Sequence, residues 1–258
     1  MELVNFENIS IGRDVVIHPS AKIQGVNGKG KNLVIGDHTY IGERVQIMVD
    51  DFSIGDYSKI HHDTNIHGYN PCSIGHNAWI GQFCIIDSVG GVTIGNNFGL
   101  GAHSQVWSHI KYGDTLFGCK WNSAHQVTIG NDVWMVGHVI FCGDTAEDYS
   151  MALAGSVVTK PMLENKVYVG TPAEEKPTMS QFDFRINPLF HREMQLKAWA
   201  SDLGLEKVKV VTDVEQMEYL SDISYFNPKT RTYTKKGTYD EIKFMKFLLP
   251  EKAKFVPN

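Results

Sequence analysis

SIGDYSKIHHDTNIHGYNPCSIGHNAWIGQFCIIDSVGGVTIGNNFGL, from Ser53 to Leu100, decides the fold. Apolar residues recur in it every six positions: Ile54, Ile60, Ile66; then Ile74, Ile80, Ile86; then Ile94 and Leu100. An amphipathic helix needs apolar spacings of three and four, and a half-buried strand needs strict alternation. A period of six fits neither. It fits a coil with three short flat sides, each turning one residue inward, so that a turn takes about eighteen residues. Successive turns then stack as parallel strands about 4.8 Å apart.

The beat extends in both directions. Upstream stand Ile11, Ile17, Ile23 and Ile35, Ile41, Ile47. Val106 completes the triplet of Ile94 and Leu100, and Ile129, Met135, Phe141 and Ala146, Ala152, Val158 follow downstream. Of these twenty-one positions fourteen are Ile, which chance does not give. The pairs Gly36-Asp37, Gly55-Asp56 and Gly95-Asn96 are expected to supply the tight or left-handed backbone of the corners. The small Ala146 and Ala152 predict a narrower or differently packed last coil.

Between Gly90 and Asp132 the repeat is interrupted by a polar and aromatic run carrying His103, His109 and His125. Regular coil is scaffold, so the interruption, a loop at about 107–126, is where chemistry is expected. Four motifs, IGHNAWIGQFCIIDSVGGVTIGNN (Ile74–Asn97), VTIGNDVW (Val127–Trp134), ALAGSVVTK (Ala152–Lys160) and VYVGTPAE (Val167–Glu174), resemble the hexapeptide-repeat acyltransferases. The resemblance covers about residues 10–175 and is closest to enzymes that acetylate sugars of surface polysaccharides. It implies an all-β fold, a left-handed parallel β-helix of about seven coils, in residues 1–177. It also implies acetyl-CoA or another acyl-CoA as co-substrate, a sugar or nucleotide-sugar acceptor, and a homotrimer with sites between neighbours.

The resemblance places a catalytic His just after the interrupted turn, where Ser108-His109 stands; His109 is therefore expected to be the general base. Imidazole suits that task because its ordinary pKa lies near working pH. Asp87, after Ile86 and one turn below, can orient an imidazole, bind the substrate by accepting from a sugar amine, or cap a corner. His103 and His125 flank the loop and are candidates to bind the acceptor or orient the base. His61 and His67 replace the usual Gly after Ile60 and Ile66, as pocket lining or as tolerated corner residues. Trp107 and Trp121 offer faces for a sugar or base ring, while Trp134 reads as packing. The resemblance puts the acyl-CoA groove at Gly137, Ala154 and Gly155, with Lys160, and also Lys176, set to meet phosphates. The sequence departs from the family pattern at Met135-Val136 and at Phe141-Cys142-Gly143.

Two other readings compete. His62 and His67 have the spacing of a zinc pair, as in the γ-class carbonic anhydrases of the same fold, but a third His has no clear place. A non-catalytic scaffold is the other, and it would need neither the loop His nor the AGSVV groove. No metal is expected.

Beyond Pro177 the beat ends, and residues 178–258 are expected to form a small α+β appendage. Asn187-Pro188 reads as an N-cap and first turn of a helix stopping at Gly204. Val208–Val211 reads as a strand, Ile223–Tyr233 as extended and Tyr239–Leu249 as a helix. A formal charge of −5 gives no basic patch for nucleic acid. No apolar run approaches the length of a membrane span, and residues 1–20 lack the pattern of a signal peptide. Cys72, Cys84, Cys119 and Cys142 form no CxxC pair, so reduced thiols in a cytoplasmic protein are expected.

Overall fold

A computed structural model describes residues 3–213, 215 and 222–258 of the chain. It divides into two compact units, Met1–Phe182 and Asp183–Asn258.

The first unit is a parallel β-helix. On its first face Ile11, Ile35, Ile54, Ile74, Ile94, Ile129 and Ala146 stand in register from strand to strand. On its second face the register runs Ile17, Ile41, Ile60, Ile80, Leu100, Met135, Ala152 and Tyr168. On its third it runs Ile23, Ile47, Ile66, Ile86, Val106, Phe141 and Val158. The six-residue positions therefore point inward along the three faces, and from Ile35 onward they form one buried column. Ile11 remains 43% exposed because nothing in the described residues stacks beneath its coil.

The stack is longer than the seven triplets. At the start, Val4–Ile11 is one strand whose first residues pair with Ile23 and Gln24 on the third face. At the end, Met162 bridges Ala146 and Tyr168 pairs with Ala152. Met162 and Tyr168 keep the spacing of six, but neither is β-branched and no Gly follows either, so the beat is not obvious there.

The corner glycines act differently from the expectation. At the corner after the first face the left-handed residue is the third one, Tyr57, Asn77, Asn97 or Asp132, with φ between 56° and 62°. The Gly itself is required by close approach: a Cβ on Gly36 would lie 2.4 Å from the Asp56 nitrogen, and one on Gly95 2.7 Å from the Gly130 carbonyl carbon. The residue after the Gly caps the neighbouring coil. Arg13 N–H donates to Asp37 Oδ1, Asp37 N–H to Asp56 Oδ1, Asp56 N–H to His76 Nδ1, and His76 N–H to Asn96 Oδ1. Asn96 N–H donates to Asn131 Oδ1, and Asn131 N–H to Asp148 Oδ1. Each corner amide is thus satisfied by a side chain one coil further on.

The first unit ends at Phe182 and not at Pro177, because the segment after the coil is tied to it. Gln181 Nε2 donates to the Asp132 carbonyl, and Asn165 exchanges hydrogen bonds with the backbone of Phe182.

The second unit holds helix α1 (Leu189–Asp202), helix α2 (Tyr239–Leu248) and a four-stranded sheet. Its strands are Val208–Val210, Ser224–Asn227, Thr232–Tyr233 and Val256–Pro257, in that order across the sheet. Phe226, Tyr233, Phe244 and Phe255 form its aromatic core. Pro188 is extended and occupies the cap of α1 itself, so Asn187 is not the N-cap. Residues 223–233 are a hairpin and not a single extended run, since Phe226 pairs antiparallel with Tyr233. Among the described residues no helix is long and apolar enough to cross a membrane.

Truncating the buried Ile60, stacked between Ile41 and Ile80, removes three carbons where the coil cannot collapse. Ile60→Ala is expected to cost about 2–5 kcal/mol, measured as a lower midpoint in urea unfolding monitored by circular dichroism.

Candidate active site

The repeat is broken at the corner after the third face. Gln105–Val106 ends that face, and the chain then leaves the coil as a hairpin, His109–Lys111 antiparallel to Asn122–Ala124. His125 N–H donates to the Ser108 carbonyl and closes its base. Tyr112, Leu116, Phe117 and Trp121 on the hairpin are exposed.

Beneath that base lies Asp87, fully buried. Its Oδ1 accepts from Ser108 Oγ–H at 2.7 Å, from Ser108 N–H at 3.2 Å and from His109 Nδ1 at 2.8 Å. Ser108 Oγ in turn accepts from Gly90 N–H at 2.8 Å. A carboxylate only accepts, so the His109 hydrogen sits on Nδ1 and Nε2 keeps its lone pair. The His109 side chain is 22% exposed. This arrangement fixes one tautomer, presents a base nitrogen and places a negative charge behind it that stabilises the imidazolium formed on proton uptake. Asp87 therefore orients the imidazole and does not merely cap a corner.

Trp107 lies beside this pair, its ring 6.2 Å from that of His109. Its indole N–H donates to Gln105 Oε1 at 2.8 Å. Gln105 and Ser108 were not singled out as site residues in the sequence. The signal for Gln105 was its spacing, since residues two apart on a strand share a face.

The other candidates lie elsewhere. His103 does not flank the hairpin. It occupies the corner between the second and third faces, left-handed at φ 60°, with its ring stacked 5.0 Å from Phe83 and 4.8 Å from His138. Stacking on Phe83 and His138 sets the ring along the corner column. His125 Nε2 is buried and accepts or donates no hydrogen bond among the described residues. Asp87, and not His125, is the side chain hydrogen-bonded to His109. Trp121 is 73% exposed on the hairpin, and Trp134 lies on the second face over Gly99.

His62 and His67 do not converge. His62 turns to Asp63 at 2.8 Å and meets the edge of Phe83, whereas His67 stands near Asp87 on another corner. Residues five apart here fall at opposite ends of one flat side. Among the described residues no three His, Cys, Asp or Glu side chains gather as a metal site. His61 packs between the rings of Tyr40 and Trp79 on the second face. Burial, together with Lys59 and His62, lowers its pKa.

Gly137 and Gly155 stack at the same corner as His103, with Gly155 N–H donating to the Gly137 carbonyl at 3.0 Å. Gly155 has φ 74°, and a Cβ there would meet nothing within 4 Å. Ala154 beside it is exposed. Backbone and small side chains therefore leave an open edge. Lys160 is at the other end of the third face, lining a hollow with Pro161, Leu163 and Tyr168. Lys176 donates its backbone N–H to the Val167 carbonyl, and its side chain is exposed. Of the four cysteines, burial pushes Cys72 up to about 12 and Cys84 up to about 11, so both are inert thiols.

No family model matches the chain. The bifunctional protein GlmU of Corynebacterium glutamicum (strain ATCC 13032) is 28% identical over 174 residues, 58% of this chain and 33% of that protein. The chain thus spans about a third of the length of the curated relatives it matches, 33% for that protein. Among solved structures, the hexapeptide-repeat acetyltransferase VCA0836 of Vibrio cholerae, complexed with acetyl coenzyme A, is 20% identical with a TM-score of 0.40. That match covers 58% of this chain and 72% of the other. A UDP-N-acetylglucosamine acyltransferase from Campylobacter jejuni is 18% identical, with a TM-score of 0.47 over 99% of this chain and 98% of its own. The class is that of parallel β-helix proteins built on hexapeptide repeats. Within that class the chain resembles the acyltransferases.

Asp87→Leu removes the acceptor that Nδ1–H needs. Histidine-resolved ¹⁵N NMR is expected to show His109 as a single tautomer protonated at Nδ1 in the native protein, and as a mixture in the variant. An unchanged His109 signal would remove Asp87 as its orienting partner.

Proposed function

We propose that this protein is a CoA-dependent acyltransferase, most simply an acetyltransferase, acting on the amine or hydroxyl of a free or nucleotide-linked sugar. The observation that carries the reading is the Asp87–His109 pair, with an aromatic side chain beside it, at the one place where a long hairpin interrupts the regular coil.

In the proposed reaction the acceptor gives its proton to His109 Nε2 as its nitrogen or oxygen attacks the thioester carbonyl. The tetrahedral intermediate collapses, the carbon–sulfur bond breaks, and the CoA thiolate takes the proton back from the imidazolium. Asp87 stays ionised throughout. Trp107 is set to pack against the acceptor ring, with His125 and the exposed Trp121 as further acceptor contacts. The open edge of Gly137, Ala154 and Gly155 suits a pantetheine arm lying against the backbone, and Lys160 and Lys176 suit its phosphates as point charges. His103 belongs with that edge by position.

Within one chain, His109 and Gly155 lie at opposite ends of the third face. This favours the homotrimer that the resemblance implies, with the left-handed coil and with His109 of one subunit facing the CoA edge of the next. Sedimentation equilibrium tests the trimer; a monomer that turns over at full rate would exclude a shared site.

His109→Ala is expected to lower kcat by about 10²–10⁴ with little change in the KM for acyl-CoA. Near-normal turnover in that variant overturns the assignment. Ala154→Trp, an exposed position, is expected to raise the KM for acetyl-CoA by about tenfold or more while leaving the melting temperature in place. Calorimetric titration with acetyl-CoA reads the same loss directly as weakened binding.

A further inference from the structure

The pair just described leaves half of its carboxylate unexplained. All three hydrogen bonds to Asp87 converge on Oδ1. Oδ2 is buried and accepts no hydrogen bond of ordinary geometry among the described residues. The polar atom the structure places beside it is His67 Nε2, at 3.4 Å. A buried ionised oxygen without a donor is costly, so the chemistry of that neighbour matters.

His67 comes from the coil below. It stands in register between Met48 and Asp87 on the third face. Its Nδ1 lies 2.8 Å from Asn65 Oδ1 on the same strand. If Asn65 presents oxygen, it accepts from Nδ1–H. If the Asn65 amide is turned, its nitrogen donates to Nδ1, and the neutral ring carries its hydrogen on Nε2. With the amide turned, Nε2–H lies beside Asp87 Oδ2, 3.4 Å away. The titratable groups gathered there are His67, Asp87 and His109. Around them Met48, Asn65, Gln105, Trp107 and Ser108 bring no charge.

We infer that His67 is a second positioning imidazole of this site, holding Asp87 Oδ2 so that Oδ1 stays aimed at Ser108 and His109. The carboxylate is then held from two coils, by hydrogen bonds at Oδ1 and by the His67 ring beside Oδ2. The two imidazoles have different tasks. His109 faces the reacting atoms, and His67, its side chain 35% exposed, acts through Asp87. This inference rests on the acyl-transfer reading only for its kinetic consequence. The coupling of His67 to His109 stands independently of it.

Two variants test it. His67→Gln keeps an amide donor near the place of Nε2, and His67→Leu keeps the bulk without a donor. His67→Leu is expected to lower kcat by about 10- to 100-fold, the usual cost of losing a group that orients a catalytic one, with both KM values near native. His67→Gln is expected to recover most of the loss. In histidine-resolved ¹⁵N NMR of the full chain, His109 should lose its single tautomer in His67→Leu and keep it in His67→Gln. Native-like melting of both variants by circular dichroism separates these effects from misfolding. An unchanged kcat and unchanged His109 signals in His67→Leu overturn the inference, as does His67→Gln behaving like His67→Leu. A shifted His109 tautomer, combined with full turnover in His109→Ala, upholds the coupling and instead overturns His109 as the base.

Discussion

Everything in the first unit depends on satisfying backbone amides along one axis. From Tyr40 to Val158 each flat side is two to four residues long, too short to pair with itself, so its N–H and C=O groups bond to the coils before and after it. That requirement is simple on the faces, where parallel strands lie in register. It is harder at the corners, where the chain turns and its amides would be stranded. The column from Arg13 through Asp37, Asp56, His76, Asn96 and Asn131 to Asp148 solves it by borrowing side chains from the adjacent coil. Coils stacked that closely leave no volume for a Cβ at Gly36 or Gly95. The glycine pattern and the acidic or amide residue after it are therefore two consequences of one spacing.

How much of this is legible in the sequence follows from which interactions are periodic. Inward residues obey a single rule of burial, so Ile54, Ile60 and Ile66 could be assigned to three faces and their register read off without a structure. The rule weakens where the inward residue is neither β-branched nor followed by Gly, which is why Met162 and Tyr168 extend the stack unannounced. The corner chemistry was misread for a different reason. Gly-Asp and Gly-Asn look like turn signals within one coil, yet their partners lie 17 to 35 residues away, as for Asn131 with Asp148 and Asn96 with Asn131.

The candidate site shows the same division. His109 could be picked out because it falls in the one long interruption of a regular pattern. Its partnership with Asp87 spans 22 residues and depends on the ladder bringing Ile86 beside Val106. His103, six residues before His109, looked like a companion, but one coil side is enough to carry it to another corner. The same geometry separates His62 from His67. Closeness in sequence misleads in a coil whose neighbours in space are a full turn apart.

The hairpin does more than supply a histidine. Residues following the inward position of the third face, such as Met48, His67 and Trp107, remain partly exposed, whereas Asp87 in that same column is buried. The difference is the chain that folds over it. Ser108 and the hairpin base cover the carboxylate and supply its donors, while Gly90 and His125 lock that base through Ser108. Burying an ionised carboxylate costs several kcal/mol before its partners offset it, so an uncovered acid at this corner would be a weaker support for an imidazolium. One insertion thus delivers the His109 imidazole, buries the acid behind it and sets their distance. A regular coil at that corner would offer none of the three.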